Sequence, residues 1–453
     1  MDALLAELTA ITGPEHVLTD PDLVAGYDTD WTRRFSGPAR CVIRPGQAGE
    51  VGAALLACAR HGAPVVPQGG NTGLVGGGVP GPAGGAVILS ARRLRRLDPV
   101  DTLSGQVTAG AGVTIAELRG HAARAGLEYG VDLAARDSAT VGGTIATNAG
   151  GIQAIRYGPT RAQLLGLEAV LADGSVISRL GGIQADNTGY DLTQLLAGSE
   201  GTLGVITAAR LRLWPAEPPT LTVLAGVPGI EAAAALQAEI RSLLPKVRAA
   251  EYFEAPGLAL VRAHTGLPAP LGREHPGYVL VDAAASEDEA ERIVVLAPLQ
   301  DAAVAMDGPA RAGLWAYRER HTESISAAGI PHKLDVALPL GRLAAFRAEL
   351  DEVIAKAAVI TGARAIVFGH IGAGNLHVNV LGPDPDDGSV DDAVLRLAAE
   401  HGGTISAEHG IGRAKAAVLH LSRSAAEIEA MRAVKSALDP AGLLNPGVLF
   451  PPS

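Results

Sequence analysis

The loop PQGGNTGLVGGGVPGPAGG, starting at Pro67 directly after the strand-like APVVPQ, limits most sharply what this chain can fold into. Glycines let backbone N–H groups converge into an anion-binding nest and let a ligand approach without meeting a Cβ. A flexible linker is the alternative reading of such a tract. A linker, however, does not interrupt a helix–strand rhythm inside a domain or set Asn71 and Thr72 between glycines. Gly76, Gly78 and Gly81 match G-x-G-x-x-G formally, but Pro80 and Pro82 stand where the helix of a Rossmann turn would open, and no G-x-x-x-x-G-K-[ST] is present. Two further segments, DSATVGGTIATNAGGIQAIRYGPT from Asp137 and GYDLTQLLAGSEGTLGVIT from Gly189, repeat the pattern. Close strand packing would explain any one of them. Three within about 140 residues point to one large, flat, anionic ligand wrapped by backbone, the shape of a dinucleotide.

The chain has 453 residues, enough for two or three domains, and 47% hydrophobic content excludes general disorder. A formal charge of -11 and 3% aromatics argue against nucleic acid as a partner. Cys41 and Cys58 are too few for a disulfide framework or an ordinary iron–sulfur cluster. MDALLAELTAITG reads as the first helix of a soluble cytoplasmic protein. No stretch offers the ~20 apolar residues of a membrane span.

From about Ala48 to Leu213, helical stretches (GEVGAALLACARHG, TIAELRGHAARAG) alternate with strand-like ones (AVILS, GQVTAGAG, LLGLEAVLADGSVIS). LWPAEPPT, with Pro215, Pro218 and Pro219, marks a boundary before TLTVLAGV. Beyond it the pattern predicts a strand around Ala249 to Phe253, a strand GYVLVDAAA, a helix opened by a Ser286/Glu289 capping box, and one long helix near Pro309 to Ala328. HKLDVALPL, AIVFGHI and LHVNVLG follow as strands, the last two joined by GAGN, a hairpin signal.

His370 and His377 flank that turn, and a hairpin can bring both imidazoles onto one face, as metal sites require; histidines bonded to backbone are the competing reading. Glu408 and His409 are adjacent in TISAEHGIGRAK, with Gly410 and Gly412 leaving room around them. Arg318 and Thr322, four apart, share a helical face. Lys333 and Asp335 oppose Leu334, Val336 and Leu338 on their strand. From the pattern alone, solvated charges on exposed faces are the commoner reading of such residues.

The loops PQGGNTGLVGG, VGGTIATNAGG with RYGP, and GSEGTLGVIT resemble those of the flavin-binding fold shared by vanillyl-alcohol oxidase and the D-2-hydroxyacid dehydrogenases. GHIGAGNLHVN and SAEHGIG narrow the resemblance to the D-2-hydroxyglutarate, D-lactate and glycolate dehydrogenase branch, over about Thr29 to Phe450. It implies an α+β chain: a vanillyl-alcohol-oxidase-type FAD-binding domain at 1–215, a substrate and metal-binding cap built on an antiparallel sheet at 216–410, and a C-terminal helical segment at 411–453 returning to the FAD domain.

By the same resemblance Pro67, Gly69, Gly70, Asn71, Thr72, Gly73, Leu74 and Gly76 would cradle the FAD diphosphate. Ser138, Gly142, Gly143, Thr147, Asn148, Gly150, Gly151, Gly158, Glu200, Gly201 and Ile206 would line its two ends, and Asn445 would close over it. The first loop has no histidine, which implies noncovalent FAD. His370, His377 and Glu408 would bind zinc or another divalent metal. His409 would act as base while hydride passes to the flavin, and Arg318, Thr322 and Lys333 would grip a substrate carboxylate, with Asn379 adding a hydrogen bond. Proteins of this branch commonly carry Asp where this chain has Ala373, so a partner to the metal hairpin is missing there. Two cations plus a metal favour a dianion, hence D-2-hydroxyglutarate, then D-lactate or D-malate. The expected electron acceptor is an electron-transfer flavoprotein, a quinone or an iron–sulfur subunit, and the sequence admits a homodimer. An oxygen-using oxidase of the glycolate type and a non-catalytic flavin-binding partner are the other readings.

Overall fold

The computed structural model describes residues 2–217, 220–244, 246–294, 301–358, 362–384 and 387–451. Pro218 and Pro219 of the expected boundary lie outside the described residues. The chain divides into two compact units: Met1–Gly151, Gly158–Ala216 and Glu408–Ser453 form the first, Ile152–Tyr157 and Glu217–Ala407 the second. The chain thus changes unit at 216/217 and at 407/408, against 215/216 and 410/411 in the sequence reading, and lends a hexapeptide of the RYGP region to the second unit.

In the first unit, β1 (Val17–Leu18), β2 (Cys41–Ile43), β3 (Val65–Gln68) and β4 (Val87–Ser90) form a sheet of order β1-β2-β4-β3. β4 runs parallel to both β2 and β3, while β1 is antiparallel to β2. β2, β3 and β4 are short and mostly apolar because helices bury them, Ala48–Arg60 contributing Val51, Leu55 and Cys58, and Ala3–Thr12 contributing Leu4 and Leu8. Burial pushes both thiols up to about 12, so neither is a nucleophile at neutral pH. β5 (Gln106–Gly110) belongs to a second, antiparallel sheet. β6 (Leu127–Glu128) stands outside it, and β7 (Leu164–Val170), β8 (Val176–Arg179) and β9 (Val205–Arg212) complete the order β5-β9-β7-β8. β10 (Trp214–Pro215) pairs with β6. The 69–86 loop joins β3 to β4 without a helix, as Pro80 and Pro82 require.

The second unit is one antiparallel sheet of seven strands: β11 (Leu221–Val227), β12 (Val247–Glu254), β13 (Gly277–Ala283), β14 (Ala302–Ala305), β15 (His332–Ala337), β16 (Arg364–Gly369) and β17 (Asn375–Leu381), in the order β14-β11-β13-β12-β16-β17-β15. Helices Ala255–Thr265, Gly308–Glu319 and His321–Ala328 pack Leu258, Tyr317 and Ile325 against Leu224, Phe253 and Phe368. The single long helix expected near 309–328 is instead two helices meeting at Arg320 (φ -77°, ψ -2°). The break seats His321 between Phe253 and Phe368, ring centroids 5.1 Å from each, where burial pushes its pKa down to about 3 and keeps it neutral. The Ser286/Glu289 capping box forms as expected.

Candidate functional site

Strand register decides which side chains of the second unit meet. His377 lies opposite Asp335 and Phe368, and Asn379 opposite Lys333 and Ile366. Residues directly opposite share a face, as do i and i+2, so Lys333, Asp335, His377 and Asn379 project from one side of the sheet. Phe253 pairs with Phe368, which puts Glu251, two residues earlier, on that side too. His370 follows the last residue of β16 and leads into the hairpin turn Ile371–Ala373, which closes through Gly374 at φ 70°. The hairpin was legible as a turn; here it sets the His370 and His377 rings edge to face, centroids 5.2 Å apart, with a nitrogen of each within 4.8 Å of the other.

Both imidazoles turn Nδ1 toward a fully buried carboxylate. Glu251 Oε1 lies 2.7 Å from His370 Nδ1, and its other oxygen accepts from Arg318 Nε at 2.7 Å. Asp335 Oδ1 lies 3.5 Å from His377 Nδ1 and accepts from Asn375 Nδ2 at 2.7 Å, while Oδ2 accepts from the Ala407 N–H at 3.1 Å. Burial alone would push the Glu251 carboxyl up; its contacts with His370 and Arg318 outweigh burial and hold the group below its ordinary value. A fully buried carboxylate without such partners would cost several kcal/mol, about 3–5 for losing one of them.

The donor set fits a divalent ion of intermediate softness: two imidazoles whose Nδ1 atoms face carboxylates leave Nε2 as the ligating atom of each. Arg318 is buried, its guanidinium 4.6 Å from the Phe368 ring centroid. Glu251 engages its Nε, and its terminal amines lie outside that bond. Thr322 is exposed on the next helix, so the shared helical face expected for it and Arg318 does not form. Lys333 is half-buried, and burial lowers its pKa. Ala373 is exposed at the turn, and the buried carboxylate beside His370 Nδ1 is that of Glu251.

In the first unit the loops chosen from sequence pack on one another. A Cβ at Gly70 would overlap the Ser138 carbonyl, one at Gly69 would stand 2.5 Å from Thr140 Oγ1, and one at Gly142 would stand 2.6 Å from the Ala111 Cβ. Gly73 has nothing within 4 Å of where a Cβ would stand, and at Gly78 the nearest atom is 3.8 Å away. The loop therefore uses some glycines to pack against protein and opens others to space, as a backbone cradle for a diphosphate needs. Six non-glycine residues among those described have positive φ, and four are cofactor candidates: Asn71, Asn148, Glu200 and Asn445 (φ 45° to 56°). Such conformations cost about 1–3 kcal/mol each and persist where the surroundings over-determine them.

Asn445 shows how. Its N–H donates to Val65 O at 2.8 Å and its Nδ2 to Gly77 O and Glu200 O at 2.8 and 2.7 Å, tying the C-terminal LLNPG to β3 and two loops. The Glu200 carboxylate accepts from the Ile411 and Gly412 N–H groups at 2.8 Å each. Glu200 thus pins the segment that carries His409, and burial raises its pKa. Gly151 N–H donates to Glu408 Oε1 at 2.7 Å. Residues 407–409, which carry Glu408 and His409, form a bend rather than a strand. Ile206 is a core residue of β9, and only its backbone can face a ligand. Thr147 donates to Gly143 O within its own helix, and Gly201 packs on the Pro67 ring.

Sequence reasoning missed Glu251 and gave Asp335 no role. The available signal was a lone carboxylate inside the apolar run AAEYF.

Residues 39–179 match the family described as FAD binding domain, and residues 217–449 the family described as FAD linked oxidases, C-terminal domain. The chain is 38% identical to the mitochondrial D-2-hydroxyglutarate dehydrogenase of Bos taurus, covering 97% of this chain and 82% of that one. It is 38% identical to the D-2-hydroxyglutarate dehydrogenase of Xanthomonas citri pv. viticola (95% and 93% covered) and 34% identical to that of Stutzerimonas stutzeri (99% and 99%). Among solved structures it resembles alkyldihydroxyacetonephosphate synthase (TM-score 0.76, 15% identity, 98% and 84% covered) and the 4-ethylphenol oxidase of Gulosibacter chungangensis (TM-score 0.75, 18% identity, 99% and 97%). The fold is that of the vanillyl-alcohol-oxidase-type flavoproteins.

Proposed function

The chain belongs to the D-2-hydroxyglutarate dehydrogenase family of FAD-linked enzymes, and on that premise we propose that its own substrate is D-2-hydroxyglutarate, ahead of D-lactate and D-malate, and that a divalent ion, best zinc, is required. It is an FAD-linked D-2-hydroxyacid dehydrogenase; substrate rank and metal are the proposal. The observation that carries it is the one sheet face of the second unit, where Lys333 and Asn379 stand beside the imidazole pair and Arg318 is fastened to that pair through Glu251.

When bound, the flavin supplies a hydride acceptor and the divalent ion polarises the substrate's hydroxyl and carboxylate oxygens. Arg318 and Lys333 neutralise carboxylates, Asn379 orients one by a hydrogen bond, and His370, His377 and Glu408 hold the ion. His409 takes the hydroxyl proton as the carbon-bound hydrogen leaves, and the product is the 2-oxo acid. FAD is held noncovalently by the first unit's loops, since residues 67–86 contain no histidine. Two buried thiols cannot carry electrons onward, which supports an external acceptor: an electron-transfer flavoprotein, a quinone or an iron–sulfur subunit. A cytoplasmic location and a homodimer complete the proposal; among the described residues no helix is long and apolar enough to cross a membrane.

Steady-state assays with an artificial acceptor test the rank. A second carboxylate held by a cation contributes about 1.5–3 kcal/mol, so kcat/KM for D-2-hydroxyglutarate exceeds that for D-lactate at least about tenfold. Equal values, or a preference for D-lactate, contradict the proposal. The pH dependence carries a sign. Lys333 binds an anion only as ammonium, and burial lowers its pKa from the ordinary 10.5. KM therefore rises as the pH climbs through a range below that value, whereas Lys333→Arg, which stays charged, shows no such rise. A flat wild-type profile removes Lys333 from the site.

A further inference from the structure

Glu251 belongs to none of the motifs that mark this family in the sequence, yet its two oxygens reach the two parts of the second unit's site. One takes Arg318 Nε and the other His370 Nδ1, both at 2.7 Å, and the carboxylate has no exposure to solvent. Resting on the reading above, we propose that Glu251 is a positioning residue that holds His370 in the tautomer able to ligate a divalent ion and fixes Arg318 for the substrate carboxylate, so that both depend on one buried group.

The chemistry of the partners makes the choice of residue specific. Arg318 offers only donors, so the oxygen facing it must accept. His370 ligates through Nε2 only when its single proton is on Nδ1, so the oxygen facing that nitrogen must accept as well. An ionised carboxylate is the side chain that accepts at both ends. Glutamine is nearly isosteric but has one acceptor and one donor. Its amide NH2 must face either the Arg318 N–H, a donor against a donor, or His370 Nδ1. In the second case the ring proton moves to Nε2 and the ligating lone pair is lost from the metal side.

With Ala373 exposed, the hairpin brings no carboxylate of its own to His370, and β12, whose Tyr252 and Phe253 pair with Gly369 and Phe368, delivers one across a chain separation of 119 residues.

The test measures Zn2+ affinity directly, by competition with a chromophoric chelator, on purified FAD-loaded wild type, Glu251→Gln and His370→Ala. Loss of a carboxylate behind a metal-ligating imidazole weakens metal binding about 10–100-fold. Glu251→Gln is expected to lose Zn2+ affinity in that range. At saturating Zn2+ it should raise KM for D-2-hydroxyglutarate by a larger factor than it lowers kcat. His370→Ala is expected to lose the site. If His370→Ala also binds Zn2+ like wild type, the metal reading fails. If His370→Ala loses Zn2+ while Glu251→Gln keeps wild-type affinity, the metal reading stands and the role of Glu251 is refuted. Should Glu251→Gln not fold, Glu251→Asp keeps the charge but shortens the reach by one methylene. Several-fold weaker Zn2+ binding in that variant supports the proposal, and unchanged binding overturns it.

Discussion

Replacing His409 by Gln lowers kcat by about 10²–10⁴-fold, the range a positioned general base contributes, while FAD content and KM for D-2-hydroxyglutarate stay near the wild-type values. The expectation rests on how its segment is held. Before it, the Ala407 N–H is bonded to Asp335; after it, the Ile411 and Gly412 N–H groups are bonded to Glu200. Backbone N–H groups on both sides of residue 409 are thus held by carboxylates, and a side-chain change at 409 is expected to leave the bend in place. Rapid-reaction measurement of flavin reduction reports the step itself. A reduction rate within tenfold of wild type would assign the base to another group.

Two neighbouring glycines are expected to fail in different ways. Gly70→Ala drives a Cβ into the Ser138 carbonyl, backbone against backbone, and neither loop can yield cheaply. It should cost about 3–5 kcal/mol and give little folded protein. Gly73→Ala meets nothing within 4 Å and does not occupy the left-handed region, so the apoprotein should unfold within about 0.5 kcal/mol of wild type. Its new methyl, however, projects from the loop proposed to wrap the diphosphate, and FAD affinity should fall at least about tenfold. Thermal unfolding of apoprotein and FAD titration separate the two effects. If Gly73→Ala binds FAD as wild type does, the first loop is a packing device rather than a cofactor cradle.

The glycine loops could be recognised in the sequence because the constraint is local: close approach and positive φ require particular residue types at particular places, and Asn71, Asn148 and Asn445 stand among them as the side chains that tolerate φ near 50°. The hairpin of His370 and His377 was likewise readable from two apolar runs around a glycine turn. Glu251 was not. All eight residues of β12 are buried, Arg248, Glu251 and Glu254 included, and no periodicity announces which distant groups will neutralise a buried charge. The helix break at Arg320 escaped notice for a related reason. Residues 309–328 have helical propensity throughout, and it is the seat for His321 between Phe253 and Phe368 that ends the first helix. The transfer of 152–157 to the second unit is of the same kind: Ile155 lies against Gly372 of the His370–His377 hairpin and Tyr157 OH accepts from Arg248, contacts made far along the chain.

The central claim is that oxidation of a D-2-hydroxy acid by the flavin requires a divalent ion at the imidazole pair. Anaerobic mixing of FAD-loaded, Zn2+-loaded enzyme with D- and L-2-hydroxyglutarate, before and after exhaustive chelation, tests it in one series by following the visible flavin band. The account predicts rapid bleaching by the D enantiomer, none by the L enantiomer, and loss of the D-driven bleaching on chelation with recovery when Zn2+ is restored. Bleaching by the L enantiomer alone, or an unchanged rate with D in the metal-free enzyme, would contradict it.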